Sequence, residues 1–365
     1  MNGPESLEAV DRTWVRWRGR TLTYFGGCDY FRLSSHPRML RAVRDGLEQF
    51  GLSVSASRLT TGNHALYAKL EKDLARFFDA ETALVVNSGY VTNLIAAQAL
   101  AGQFSHALLD EHAHAALRDA AEVLGCPILR YRHRDPENLA QTLHRFGQKI
   151  KPVVLTDGMF AHDGSTAPLA AYLNLLPRDG LLLVDDAHGA GTLGKAGKGT
   201  VELEGVSRQR VVQCVTLSKA FGVYGGAVLC SKALRKRMIS QSRIFAGSTP
   251  LPLPLAYAAR EAIRLFRSDT TLRRRLGINV STLKSSLRAS GLHLPETPGP
   301  IVSIQPTNSR QVARLKHDLL AAGILPPFIS YPGSPLKNHF RFVISSEHSP
   351  RQIALLNQVL LHADL

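Results

Sequence analysis

Cysteine is scarce in this chain of 365 residues. Its four copies, Cys28, Cys126, Cys214 and Cys230, form no C-x-x-C pair and no metal-ligand spacing. That excludes a zinc ribbon and a disulfide framework, and no metal site is expected. Cys214 and Cys230 fall in apolar, strand-like runs, where a free thiol behaves as a small buried hydrophobe. Reduced thiols fit a cytoplasmic compartment. Long hydrophobic runs are missing as well. No segment reaches the roughly 18 uninterrupted apolar residues that a membrane helix needs, and Leu251 to Ala259 is broken by Pro252 and Pro254. Met1 to Arg20 carries Glu5, Glu8, Asp11 and several arginines around no apolar core, which does not read as a secretory signal. No membrane partner is expected.

Acidic residues are in short supply: 29 against 44 lysines and arginines, a formal net charge of +15. Such an excess raises nucleic acid as a partner. The cations are spread along the chain, however, with no run of five. The densest cluster, Arg273-Arg274-Arg275, lies on a helix expected from Thr270 to Ser290, where a solvated face is the usual outcome. No nucleic-acid partner is expected, and a general positive field suits a small polyanionic substrate. With 44% hydrophobic and 20% charged residues the chain has the composition of a folded globular protein. Its length suits one large domain plus a smaller one.

What is present is an alternation of strand-like and helical stretches. Ala83–Asn87, Ala107–Asp110, Pro127–Tyr131, Val153–Thr156, Leu181–Asp185, Val211–Thr216 and Ala227–Cys230 are short and apolar throughout. Strands buried on both faces read this way, so an α/β fold is expected, its large, mostly parallel sheet covered by helices. Leu66, Leu70, Leu74, Phe77 and Phe78 form one helical stripe, with Thr60-Thr61-Gly62-Asn63 as cap-like residues ahead of it. Ile301–Gln305 and His339–Ser345 read as strands. A helix from about Asn308 to Ala322 stops at Gly323, and a last helix opens on Ser349 and Pro350. The expected division is an N-terminal arm over 1–45, a large domain over 46–250 and a small C-terminal α/β domain over 251–365. The Pro250–Pro254 stretch and the helix after it are expected to connect the two domains.

Four places carry chemistry. Lys219 lies just past the run Val211–Thr216, among small residues and glycines, which suits a Schiff base with an aldehyde cofactor better than a solvated surface charge. Asp185 ends the run Leu181–Val184 and so faces the crevice at the carboxyl ends of parallel strands. A carboxylate there would keep a pyridine nitrogen protonated, and His188 would reach the ring's hydroxyl oxygen. Ser88-Gly89-Tyr90 follows one strand and opens a helix, a turn suited to phosphate, and Thr216 is a further candidate phosphate contact. Each has an ordinary structural explanation when taken singly. Phosphate turn, Asp-x-x-His and lysine in this order weaken that explanation together.

The strings Val184-Asp185-Asp186-Ala187-His188-Gly189-Ala190-Gly191, Gly194-x-x-Gly197-x-Gly199 and Thr216-Leu217-Ser218-Lys219-Ala220-Phe221-Gly222 resemble the α-oxoamine synthases, within the fold-type I pyridoxal-phosphate enzymes. The resemblance runs from about Tyr30 to the C-terminus. It implies pyridoxal 5'-phosphate on Lys219 and a decarboxylative condensation of an amino acid with an acyl thioester of coenzyme A or of a carrier protein. His114 matches the histidine that stacks on the ring, with His112 a competing candidate. Gly89 and Tyr90 match the phosphate turn. Ser248, with Thr249 beside it, matches a phosphate contact from the neighbouring subunit, which implies a homodimer with shared sites. Arg341 matches the arginine that holds the substrate carboxylate, a group a guanidinium fits bidentately.

Departures accompany the match. Asp29 stands where the family has a substrate-contacting Asn, and Tyr67 stands where it has a His. Ala161 replaces a Ser near the ring, a loss of about 1 kcal/mol in one neutral hydrogen bond. Competing expectations are another reaction on an amino acid (transamination or decarboxylation) and, from the basic charge alone, a non-catalytic cofactor-binding or nucleic-acid-binding protein.

Overall fold

The computed structural model describes residues 6–147, 150–329 and 338–363. In chain order its strands are β1 Glu8–Asp11, β2 Trp14–Trp17, β3 Arg20–Thr23, β4 Thr82–Val86, β5 His106–Asp110, β6 Ile128–Tyr131, β7 Pro152–Asp157, β8 Leu181–Asp185, β9 Val211–Thr216, β10 Gly226–Cys230, β11 Ile301–Ile304, β12 Phe328–Ile329 and β13 His339–Val343. Its α-helices are α1 Pro37–Phe50, α2 Ala65–Phe77, α3 Gly89–Leu100, α4 Ala115–Val123, α5 Pro136–His144, α6 Leu169–Leu175, α7 Thr200–Leu203, α8 Lys232–Gln241, α9 Arg243–Gly247, α10 Leu253–Ser268, α11 Thr271–Ala289, α12 Ser309–Ala321 and α13 Pro350–Leu361. Among the described residues no helix is long and apolar enough to cross a membrane.

The chain divides into two units: His36–Phe160 with Thr166–Asp269, and Met1–Ser35 with Ala161–Ser165 and Thr270–Leu365. All seven apolar runs expected to be strands form one sheet in the larger unit, in the order β4-β10-β9-β8-β7-β5-β6. β9, β8, β7, β5 and β6 run parallel, and β10 is antiparallel to both β9 and β4. Neighbouring residues of one strand feed opposite faces. Leu183 joins the core under α3, α4 and α8, while Leu182 and Val184 join the core on the other face with Leu139 and Tyr172. Parallel strands need this double cover, which is why they read as unbroken apolar runs. The stripe Leu66, Leu70, Leu74 and Phe77 is buried on α2 as its spacing requires, but the cap is His64, whose side chain accepts from Leu66 N. Thr60 to Asn63 lie ahead of that cap.

The division falls elsewhere than an arm over 1–45 and a boundary at 250–251. α1 and α10 pack together within the larger unit: a Cβ at Gly46 would lie 2.9 Å from Pro254 Cα, and Arg38 pairs with Glu261 at 2.6 Å. α10 therefore belongs with the sheet rather than connecting two domains. In the smaller unit β11, β13 and β12 form an antiparallel sheet, and α13 packs against α11 and α12. Residues 6–35 join it, since Thr23 N donates to Gly323 O at 2.8 Å and Leu325 N donates to Thr23 O at 3.0 Å. His348 Nε2 meets Tyr24 O at 3.0 Å while its ring stacks on Phe25 at 4.1 Å. The expected α12 and α13 appear with their caps, Asn308 and a Ser349–Gln352 capping box. In β13, His339 and Val343 are buried along with Phe340 and Phe342, so only Arg341 is partly exposed.

Candidate active site

One edge of the seven-stranded sheet gathers the ends of β4, β7, β8 and β9, and the loops beyond them carry the candidate chemistry. The chain leaves β4 through Ser88, which caps α3 by accepting from Tyr90 N at 3.3 Å. The other N–H groups of that first turn have no carbonyl one turn back within the helix, which makes it an anion seat. Gly89 is demanded by close approach, because a Cβ there would lie 2.5 Å from Thr216 Oγ1. Thr216 Oγ1 is 2.7 Å from Ser218 Oγ and accepts from Ser218 N at 3.2 Å. Two hydroxyls thus stand at the helix end. Ser218 escaped sequence reading, although it lies two residues past Thr216 in the same string. Tyr90 supplies its backbone; its hydroxyl donates to Asp119 and its ring meets His114 edge-on at 6.2 Å.

The loops after β8 and β9 meet through Lys219 Nζ and His188 Nε2, 2.8 Å apart. His188 is buried, as is Asp185 at the end of β8. Asp185 Oδ2 accepts from Asn93 Nδ2 at 2.6 Å, and its Oδ1 accepts from Ala187 N at 3.1 Å. The second aspartate has a different task. Asp186 is fully buried and accepts from Thr200 N and Thr200 Oγ1, both at 2.8 Å, and from Gln213 Nε2 at 2.5 Å. Burial pushes its carboxyl up to about 7 despite those donors, and it fastens the loop that carries His188.

His114 caps α4, its Nδ1 accepting from Ala116 N at 3.2 Å while its own N–H donates to Asp157 Oδ2 at 2.8 Å. Burial lowers its imidazole below the ordinary value; Lys219 adds to this and Asp185 opposes it. The ring is therefore a neutral plate with its orientation set. Its competitor His112 instead stacks on His133 at 4.2 Å, and His133 is held by Asp110 at 2.9 Å. Asp157 pairs with Asp185 in the β7–β8 register; burial first, then Asp185, push its carboxyl well up. Neither Asp157 nor Asn93 carried a sequence signal.

The remaining candidates are placed as follows. Ser248 closes α9, and Thr249 O accepts from Asn87 Nδ2 at 3.0 Å, next to the α3 turn. In the smaller unit Arg341 donates to Ala161 O at 3.2 Å and reaches Cys28 Sγ at 3.8 Å. Asp29 is engaged locally, its two oxygens accepting from Leu33 N and Ser34 N, both at 2.9 Å. Tyr67 is buried, donates to Leu251 O at 2.6 Å and lies under Arg58; burial pushes its phenol up to about 12.

These residues fit pyridoxal phosphate. The glycine-floored turn with its hydroxyls suits the phosphate, Lys219 the aldehyde, Asp185 a protonated ring nitrogen and His114 the flat ring. A model of the aminotransferase class I and II family matches residues 25–360. The 8-amino-7-oxononanoate synthase of Thioalkalivibrio sulfidiphilus is 36% identical over 345 residues, covering 94% of this chain and 88% of that protein. The enzyme of the same name from Trichlorobacter lovleyi is 35% identical over 354 residues, covering 95% and 90%. Among solved structures, one of SPT with a PLP internal aldimine superposes with a TM-score of 0.90 at 27% identity, covering 98% of this chain and 92% of that one. Another, of 8-amino-7-oxononanoate synthase from Francisella tularensis, gives 0.79 at 26%, covering 92% and 96%.

Proposed function

Because this chain belongs to the aminotransferase class I and II family, we propose that it joins an amino acid to an acyl thioester with loss of carbon dioxide, as an 8-amino-7-oxononanoate synthase does. It is a pyridoxal-phosphate enzyme and an acyltransferase. The substrates are alanine and a pimeloyl thioester. A carbon–carbon bond forms between the amino acid's Cα and the acyl carbon. The thiol leaves, the carboxylate departs as carbon dioxide, and an α-amino ketone remains.

When bound, pyridoxal phosphate supplies an aldehyde for the amino acid's nitrogen and a ring that takes up the electrons of a broken Cα bond. The chain's own residues do the rest. The first turn of α3, with Thr216 and Ser218, holds the phosphate. Asp185 would hold the ring nitrogen, its carboxylate favouring a proton there. His114 stacks as a neutral plate. Lys219 would hold the cofactor through its aldehyde and would move the Cα proton, while His188, 2.8 Å from its amine, fixes its direction. Arg341 takes the substrate carboxylate through its guanidinium fork. A second subunit contributes Ser248 to each site, so the enzyme works as a homodimer.

The observation that carries this reading is the Lys219–His188 contact beside Asp185, on the loops of two adjacent strands. Incubation with carboxyl-labelled alanine and pimeloyl thioester tests it. Thiol and labelled carbon dioxide are expected in equal amounts, and neither from Lys219→Ala. Keto acid without free thiol would establish transamination instead; carbon dioxide without thiol would establish simple decarboxylation.

A further inference from the structure

Asn93 is fully buried in the second turn of α3. Nothing local asks for it: asparagine is a poorer helix former than alanine, and a buried primary amide is costly unless bonded. Among the described residues its Oδ1 has no hydrogen-bond partner. Its Nδ2 has one strong bond, 2.6 Å to Asp185 Oδ2. That bond fixes the amide's orientation, because the flipped amide would set oxygen against oxygen.

The surroundings of Asp185 raise the value of that donor. Asp157 stands beside it on β7, Cys214 on β9 and Asp186 next in the chain; His114 feels its charge, and Lys219 acts on both His114 and Asp157 and meets the buried His188. The acids among these neighbours are each held neutral more strongly than usual, burial being the largest cause and the Asp185 charge adding to it. Among the described residues, Asn93 and the Ala187 N–H are the donors that grip Asp185. Gly89 and Asn93 stand at i and i+4, hence on one helix face about 6 Å apart along the axis. The face that meets Thr216 at the phosphate turn therefore meets Asp185 one turn later.

We propose that Asn93 is a positioning residue, whose amide N–H holds Asp185 as the charge-bearing partner of the cofactor's ring nitrogen at a distance from the phosphate turn set by α3. This rests on the role given to Asp185 above. The test uses holoenzyme loaded with pyridoxal phosphate labelled with 15N in the ring. The nitrogen's chemical shift is followed against pH in the natural protein and in the Asn93→Leu, Asn93→Ala and Asp185→Asn variants, with far-UV circular dichroism to confirm folding.

The ring nitrogen is expected to stay protonated in the natural protein. Its deprotonation midpoint is expected to fall by a pH unit or more, tenfold in the equilibrium, in whichever Asn93 variants fold. A pure packing role would lower the melting temperature and leave that midpoint alone, so an unchanged midpoint in a folded Asn93 variant overturns the proposal. Retention of the ring proton in Asp185→Asn would instead remove the assignment of Asp185, and the proposal with it.

Discussion

A methyl group added at Gly89 would sit 2.5 Å from Thr216 Oγ1 and 2.6 Å from Thr216 Cβ. Both neighbours belong to a buried strand end, so α3 must shift rather than a side chain swing aside. Gly89→Ala is expected to weaken pyridoxal-phosphate binding at least tenfold in equilibrium dialysis and to cost about 1–3 kcal/mol in chemical denaturation. At this scale the sequence was legible where a residue ended a strand. Lys219, Asp185 and Thr216 are visible because parallel strands deliver their chemistry at one edge. It was silent on the task of Asp186, which is claimed by Thr200 and Gln213, 14 and 27 positions away. Asn93 is hidden for a similar reason: an amide inside an Ala- and Leu-rich helix has no periodicity to betray its partner.

Helices and strands were read by their patterns, and the exceptions are physical. β1, β2 and β3 were missed because four-residue strands with mostly exposed side chains carry too little alternation to register. α11 was expected, but not that its Lys284 would be buried. Its amine donates to Thr297 O at 3.0 Å, and burial, with Arg288 adding to it, lowers it to about 8. The folded state therefore disfavours the ammonium. The associated stability is fully present above the unfolded value of about 10.5 and is lost as pH falls through 8, about 3 kcal/mol in all. Lys284→Met is expected to unfold at higher urea than the natural chain at pH 7, with the gain shrinking by pH 9.5. Lower stability at pH 7 would mean that the bond to Thr297 outweighs the buried charge.

For the whole molecule, composition and strand rhythm were enough to indicate the seven-stranded sheet, whereas the division into units depends on packing between distant segments. α1 and α10 meet across some two hundred positions, which no local composition records. The proposed homodimer makes a test of its own. Ser248→Asp would set a carboxylate against the phosphate, and Lys219→Ala removes the amine. If one subunit's Ser248 serves the other's Lys219, mixing the two inactive variants restores roughly a quarter of the natural activity through heterodimers. No recovery after verified subunit exchange would place Ser248 in its own subunit's site. The joining of residues 6–35 to the C-terminal segment has a different consequence, in time rather than space. Arg20 donates to Leu320 O, 300 positions further on. At about 5–20 residues per second, a ribosome needs roughly 15–60 s to supply that partner. The sheet β1-β2-β3 can pair within itself as soon as it is made, but its docking against the C-terminal segment must wait until that segment emerges.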